Sequence, residues 1–523
     1  MSAILVSGKE HNVYCGGDAG PMLSLLPERF SLILKKWSLM TPDNPALIFG
    51  NTVISYNELW ARTCDAADRM SQAGVRAGDR VAIIAENGPQ GIAHIFAASE
   101  LGAWAVPINA RSTQRELLAI TEFADCRLTV FCLANSNVSE DHANCLAASV
   151  EEGAFGRLAF SGLNTEAIPE VVYGDKSQDT AVLIFTSGTT GAPKGVMVSH
   201  QHLMYMGANM AELRNFTAED CLYNSSPVSH VIGLGTVLLT AFCAGASVEI
   251  APVFSAEHVV HSIASGRITC ITGVPTLFGR LIDYAEGAGV TLDAGRMRIL
   301  GTAGAPLTLA LKTRIEKAFG MGLHNSYALS ECNPVARSGS PVLNNEVGKL
   351  QPGVEVLLLN AEGNDVGLNA PGEIWVRGPS RMLGYYKNEA ATSTITNEAG
   401  FIATGDLGKI DDLGQMRIVG RLKDVIIRSG FNVYPAEVEN VIEQVLGVAL
   451  VAVLGRSSED NEEVVAFVQP ATGSVLNSED IRRYCRENLA PYKCPSQIII
   501  SEDLPLSETG KVQKNMLSLD GLN

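Results

Sequence analysis

What the sequence lacks narrows the reading before any motif does. The 523-residue chain has no long block of like charge, and 56 acidic against 39 basic side chains leave a formal charge of −17. A surplus of that sign repels phosphate backbones and anionic lipid, so nucleic acid and membrane surfaces are excluded as expected partners. No basic segment leading into an apolar run opens the chain, so Met1–Met22 is not expected to be a secretory leader. It reads instead as a weakly docked extension. The 11 cysteines form no CxxC pair and no metal-ligand spacing. They are expected as reduced, mostly buried thiols of a cytoplasmic protein. Repeats, heptads and low-complexity tracts are missing as well. Charge is absent from Val231–Val248, 18 residues, but Gly233, Gly235 and Gly245 interrupt that stretch. A buried helix, a turn and a strand are expected there, and no membrane span.

Against those absences stand strong periodic signals. The length exceeds what one core serves, so at least two domains are expected. Ala46–Ile54 reads as two short strands around Gly50-Asn51. Ser55-Tyr56-Asn57-Glu58 is a capping box that opens a helix ending at Gly74. Strands at 80–85, 103–108 and 128–131 alternate with helices, which predicts an α/β fold with a parallel sheet covered on both faces. Residues 136–176 carry weak periodicity and read as a variable surface segment. From Val354 to Val376 the pattern turns to short strands between Gly/Asn/Asp turns, as in a small β-barrel or distorted sheet. Beyond Gly420-Arg421 the chain restarts as a small α+β domain. The expected division is 1–421 and 422–523.

The stretch richest in chemistry is Thr186-Ser187-Gly188-Thr189-Thr190-Gly191-Ala192-Pro193-Lys194-Gly195. It lies between an apolar strand, Ala181–Phe185, and a second short strand, Val196–Val198. Four hydroxyls, three glycines and one lysine in ten residues suit a polyphosphate. Glycines let backbone N–H groups converge, hydroxyls add donors, and the lysine adds a mobile positive charge. It is not a Walker A loop, because Pro193 precedes the lysine and a strand follows it.

This string resembles the signature loop of the adenylate-forming superfamily: acyl-CoA synthetases, adenylation domains of peptide synthetases, and luciferases. Further segments carry the resemblance from about Leu25 to Met516. Gly304-Ala305-Pro306 resembles the turn that borders the adenine, and Tyr327-Ala328-Leu329-Ser330-Glu331 resembles the family's Tyr-Gly-x-Thr-Glu element, with Ala328 and Ser330 as departures. The resemblance implies that Tyr327 stacks on adenine, Ser330 contacts phosphate and Glu331 holds Mg²⁺, an ion that prefers oxygen ligands. Asp406, in Thr404-Gly405-Asp406, and Arg421 match ribose-binding positions, where a carboxylate can accept two hydrogen bonds from a diol. His230 falls where the carboxylate enters, as an orienting or gating residue or as a core histidine. Tyr205, Val231, Ile232, Gly235 and Ala303 are candidates for the acyl pocket, with Gly235 leaving room in its depth. Gly430 matches the glycine lining a pantetheine tunnel, Lys511 the catalytic-lysine loop, Lys493 a coenzyme A contact and Lys423 the hinge. The implied activity is AMP-forming ligation of a carboxylic acid, medium-chain or aromatic, to coenzyme A with ATP and Mg²⁺. Loading of a carrier protein stays open, as does a non-catalytic nucleotide-binding protein, and so does a homodimer.

Overall fold

The computed structural model describes residues 2–6, 8–186, 194–292, 295–428, 431–458, 461–471, 473–506 and 512–519. It is a mixed α/β structure, as the strand–helix alternation predicts, with two large sheets and a small α+β part at the C-terminus. One sheet has eight strands, in the order Gly384–Tyr385, Lys194–Ser199, Thr180–Thr186, Trp104–Asn109, Arg80–Ala85, Leu128–Cys132, Gly156–Phe160 and Ser149–Gly153. The central strands are parallel and buried on both faces, hence their continuous Val/Ile/Ala runs.

The second sheet has fifteen strands and changes character along its width. Cys221–Asn224, Cys270–Gly273, Ile299–Thr302 and Leu323–Leu329 run parallel. From Leu323–Leu329 onward the neighbours are antiparallel: Cys332–Arg337, then Gly348–Leu350, Gln415–Arg421, Ile402–Ile410, Gly372–Arg377 and Glu355–Leu359. The β-rich segment is therefore not a separate barrel; its strands extend the parallel sheet. The seam falls on the strand that carries Tyr327.

Two segments without clear periodicity are also ordered into sheets. Ser2–Val6 and Lys9–Cys15 form a hairpin that pairs with Glu355–Leu359 and so makes one edge of the fifteen-stranded sheet. Val6 and Val13 pack against Leu357, Leu359 and Phe401. The expected weakly docked extension is thus a docked hairpin, held by alternation too short to read alone. Residues 136–176 likewise contain a helix, Asn137–Cys145, and the edge hairpin Ser149–Gly153/Gly156–Phe160, which joins Leu128–Cys132 through Gly156–Phe160.

Local signals hold where side-chain chemistry fixes them. Ser55 accepts from the Glu58 N–H at 3.2 Å, and Glu58 accepts from the Ser55 N–H at 2.9 Å. Val231–Val248 resolves into a π-helix, Ile232–Leu239, a short α-helix, Thr240–Ala244, a left-handed turn at Gly245 and the strand Ser247–Ile250. Among the described residues no helix is long and apolar enough to cross a membrane. The fifteen-stranded sheet takes its last strand up to Arg421; a short turn, Leu422–Asp424, leads to a hairpin and a three-stranded sheet packed with helices Pro435–Ile442 and Ser478–Asn488. All cysteines are free, six of them buried, and burial pushes thiols such as Cys221 up to about 11, which keeps them protonated and inert.

Burial also sets an acid limit on the fold. It pushes His200 and His202 down to about 3, with Arg29 adding to the effect at His200. Burial and the charge of Arg214 take His324 down to about 4. Free histidine titrates near 6.5. As pH falls below that value the unfolded chain takes up protons that the folded chain refuses, so stability declines by up to about 1.4 kcal/mol per pH unit for each histidine. Thermal melts from pH 8 to 5 should show a steep loss of Tm below pH 6.5. His202→Leu should flatten it, because both ring nitrogens of His202 lack a partner among the described residues and nothing polar there is orphaned. An unchanged slope in that variant would rule out this cause.

Candidate active site

The strands on either side of the hydroxyl- and glycine-rich stretch pair antiparallel up to its ends. Thr186 pairs with Lys194, and Phe185 with Gly195. Gly195 has a steric reason: a Cβ there would stand 3.1 Å from the Phe185 ring. The loop residues Ser187, Gly188, Thr189, Thr190 and Gly191 lie outside the described residues, as do Gly430 and Lys511.

Two polar clusters form at the seam of the large sheet. In the first, the Tyr327 hydroxyl donates to Asp406 Oδ2 at 2.7 Å and Arg421 Nε lies 3.0 Å from Asp406 Oδ1. Pairing of Asp406 with Arg421 across adjacent strands sets this geometry, and the Thr404 hydroxyl receives the Asp406 N–H at 3.0 Å. Burial raises the Tyr327 pKa well above its ordinary value, and the charge of Asp406 raises it further. Tyr327, Asp406 and Arg421, placed together only by resemblance, form one unit of a hydrogen bond and an ion pair on the same carboxylate.

The second cluster lies at the turn after Tyr327. Ser330 is buried, and the carboxylate of half-buried Glu331 accepts from the Tyr385 hydroxyl at 2.7 Å. Lys194 Nζ lies over the Tyr385 ring, 5.0 Å from its centroid. Sequence reasoning missed Tyr385. Its segment joins the two sheets: Met382 N–H donates to the Glu331 carbonyl at 2.7 Å, Leu383 N–H to Met197, and Tyr386 N–H to Gly195. The available signal was Gly384-Tyr385-Tyr386, in which Gly384 takes a φ of 147°.

On the acid side, the turn before the π-helix is pinned by amides. Asn87 donates to the Ser226 carbonyl at 2.9 Å and accepts from the Val228 N–H at 2.9 Å; Asn224 donates to the Gly233 carbonyl at 3.1 Å. Half-buried His230 follows, its Nδ1 3.3 Å from the Ile232 N–H. Gly304, at φ 81°, faces Ile232: a Cβ there would meet Ile232 Cδ1 at 2.7 Å. The turn Gly304-Ala305-Pro306 and the apolar residues Val231, Ile232 and Ala303 thus converge.

Two acyl-pocket expectations need correction. Gly235 leaves no open depth, because a Cβ would fall 1.7 Å from Met206 Cε; the methionine fills that space. Tyr205 is fully buried and donates its hydroxyl to the Pro352 carbonyl, so it serves packing of its helix. Of the remaining candidates, Lys493 is paired with both oxygens of Glu437, at 2.6 and 2.8 Å, and Lys423 is exposed on the turn after Arg421.

The donor set can be tested against Mg²⁺. Among the described residues no three His, Cys, Asp or Glu side chains gather. Glu331 alone, oriented by Tyr385, suits an ion that takes most of its oxygens from phosphate and water.

Comparison with known proteins identifies the family. Residues 34–386 match the AMP-binding enzyme family and residues 437–511 its C-terminal domain. A feruloyl-CoA synthase from an Amycolatopsis species is 30% identical over 487 residues, 91% of this chain and 95% of its own. An indoleacetate–CoA ligase from Aromatoleum aromaticum is 30% identical over 492 residues, again 91% and 95%. The ATP-bound structure of MatB from Rhodopseudomonas palustris superposes with a TM-score of 0.82 at 29% identity, covering 93% of this chain and 98% of that one. The chain belongs to the AMP-binding enzymes, the adenylate-forming family, and its relatives there include acid–CoA ligases.

Proposed function

We propose that the chain is an AMP-forming carboxylic acid–CoA ligase acting on a medium-chain or aromatic monocarboxylate. The observation that carries the reading is the convergence at one seam of a nucleotide cluster, Tyr327–Asp406–Arg421, and a phosphate cluster, Lys194–Tyr385–Glu331. The acid side is lined by Val231, Ile232 and Ala303, which favours an apolar acid. The buried cation beside Met206, Arg337, already donates to the Met206 carbonyl, Asn209 and Asn333, so it is committed to neutral partners.

In the first step the substrate carboxylate attacks the α-phosphorus of ATP and pyrophosphate leaves. Asp406 and Arg421 hold the ribose, and Tyr327 offers its ring to adenine. Lys194, the loop donors and Lys511 stabilise charge on the transferring phosphorus. Mg²⁺, when bound, neutralises phosphate charge, with Glu331 as its protein ligand. In the second step the thiol of coenzyme A attacks the acyl carbon and AMP departs; Gly430 admits the pantetheine and Lys493 contacts the cofactor's polar end. His230 orients the carboxylate. Residues 1–421 act as the ATP- and acid-binding body and 422–523 as a domain that turns about Lys423. Separation of the described sheets at Arg421 supports that division.

Incubation with ATP, Mg²⁺ and a panel of carboxylic acids, with and without coenzyme A, tests the assignment. Mass spectrometry should find AMP and an acyl-CoA with at least one ring-bearing or medium-chain acid. Thioester only on a phosphopantetheinylated protein would favour carrier loading. ATP binding with no product from any acid would favour a non-catalytic nucleotide-binding protein.

A further inference from the structure

One aromatic side chain touches both charges of the phosphate cluster. The Tyr385 hydroxyl donates to Glu331 Oε1, and its ring face carries the Lys194 ammonium. The backbone fixes this position twice over. Val196 and Tyr385 are paired across adjacent strands, which sets Tyr385 beside the strand that Lys194 begins. Met382 N–H to Glu331 carbonyl ties the same segment to the turn carrying the carboxylate. The Tyr385 N–H is also held, by the Thr392 hydroxyl at 2.9 Å.

A lysine and a glutamate so placed attract one another, and a direct pair would neutralise both groups needed by a charged ligand. A rigid ring between them gives each a partner without joining them. The ammonium rests on a π-face, a partner it can leave when phosphate oxygens arrive. The carboxylate keeps its full charge, because a phenol donates a hydrogen bond without supplying a cation.

We propose that Tyr385 is a positioning residue that holds Glu331 for the metal ion and keeps Lys194 apart from it, so that both charges are available to Mg·ATP. The proposal rests on the reading of Glu331 as metal ligand and Lys194 as phosphate contact. Its two halves separate by substitution. Tyr385→Phe keeps the ring and removes the hydrogen bond. Tyr385→Ala removes both and lets Lys194 reach Glu331.

The test is calorimetric titration of ATP, without acid and so without turnover, in excess Mg²⁺ and in EDTA, with melting temperatures on every variant. The readout is the factor by which Mg²⁺ strengthens ATP binding. Tyr385→Phe should lower that factor about 10-fold, the scale typical for residues that orient a metal ligand, while ATP affinity in EDTA stays as in the parent. Tyr385→Ala should also weaken ATP binding in EDTA, and adding Glu331→Gln to it should restore that loss, since the competing carboxylate is gone. A factor within twofold of the parent in Tyr385→Phe, with Glu331→Gln still lowering it, overturns the role of Tyr385. No effect from Glu331→Gln alone overturns the underlying reading of Glu331, and the proposal falls with it. Failure of the double variant to recover ATP affinity overturns the separating role. If Tyr385→Ala does not fold, Tyr385→Leu, which keeps apolar volume but has neither hydroxyl nor ring face, takes its place in the EDTA titration and in the double variant with Glu331→Gln, and is read in the same way.

Discussion

Lys511→Ala should lower adenylation by at least about 100-fold, the scale of losing one charge-stabilising group at a reacting centre, yet leave thioester formation from supplied acyl-adenylate and coenzyme A near the parent rate. Gly430→Leu should do the reverse, because a branched side chain obstructs the narrow pantetheine route while pyrophosphate release continues. Both positions follow Arg421, where the fifteen-stranded sheet ends and a separate small sheet takes over. One pose of that small part cannot set a lysine against the α-phosphorus and a glycine against the incoming thiol at the same centre. In the proposed two-step mechanism, rotation about the turn Leu422–Asp424 would resolve the conflict by giving each half-reaction its own pose. Each half-reaction is run alone on purified, folded variants. Equal loss of both steps in both variants would contradict alternation.

Gly233→Ala should be the most damaging small change on the acid side. A Cβ at Gly233 would stand 2.3 Å from the Pro227 carbonyl oxygen and 2.4 Å from that of Ser226. Neither can swing aside as a side-chain end would, because Asn87 holds the Ser226 carbonyl and the His230 N–H holds the Pro227 carbonyl at 3.0 Å. Relief requires moving the turn that presents His230, or unwinding the start of the π-helix, a conformation found mostly at functional sites. The expected cost is about 1–3 kcal/mol of stability, with a larger proportional loss in use of the acid than in ATP affinity. Gly287→Ala is the control. Gly287 lies in helix Pro275–Ala288 with nothing among the described residues within 4 Å of a Cβ, so alanine should stabilise by about 0.5–1 kcal/mol. Unfolding curves and separate acid and ATP titrations check both. A Gly233→Ala protein as stable and active as its parent would mean that the turn is not held as described.

The contrast between these residues shows what a sequence makes legible. Chemistry confined to a few consecutive residues can be read directly: the Ser55–Glu58 capping box, the hydroxyl-rich stretch around Thr186, and the paired short strands at Gly50 are local events. So is the alternation that predicts the parallel strands. The partnership of Tyr327 with Asp406 joins positions 79 residues apart, and was reached through resemblance rather than spacing. Tyr385 was missed because its meaning comes from a short segment bridging two sheets, and neither Lys194 nor Glu331 is near it in sequence. Gly235 was misread for a related reason. A glycine in a sequence marks a missing side chain, but only packing tells whether the space is open, and here Met206 occupies it. The N-terminal hairpin escaped notice since its strands are short and acquire their apolar partners, Leu357, Leu359 and Phe401, from far along the chain.

The central claim is that this seam activates a carboxylate as an acyl-adenylate. Its most direct measurement is acid-dependent exchange of labelled pyrophosphate into ATP with coenzyme A omitted. That reaction isolates the first step and requires it to be reversible on the enzyme. The account predicts exchange with at least one aromatic or medium-chain monocarboxylate, none without acid, and loss of exchange in Lys511→Ala. ATP binding accompanied by no exchange across a broad panel of carboxylic acids would contradict it.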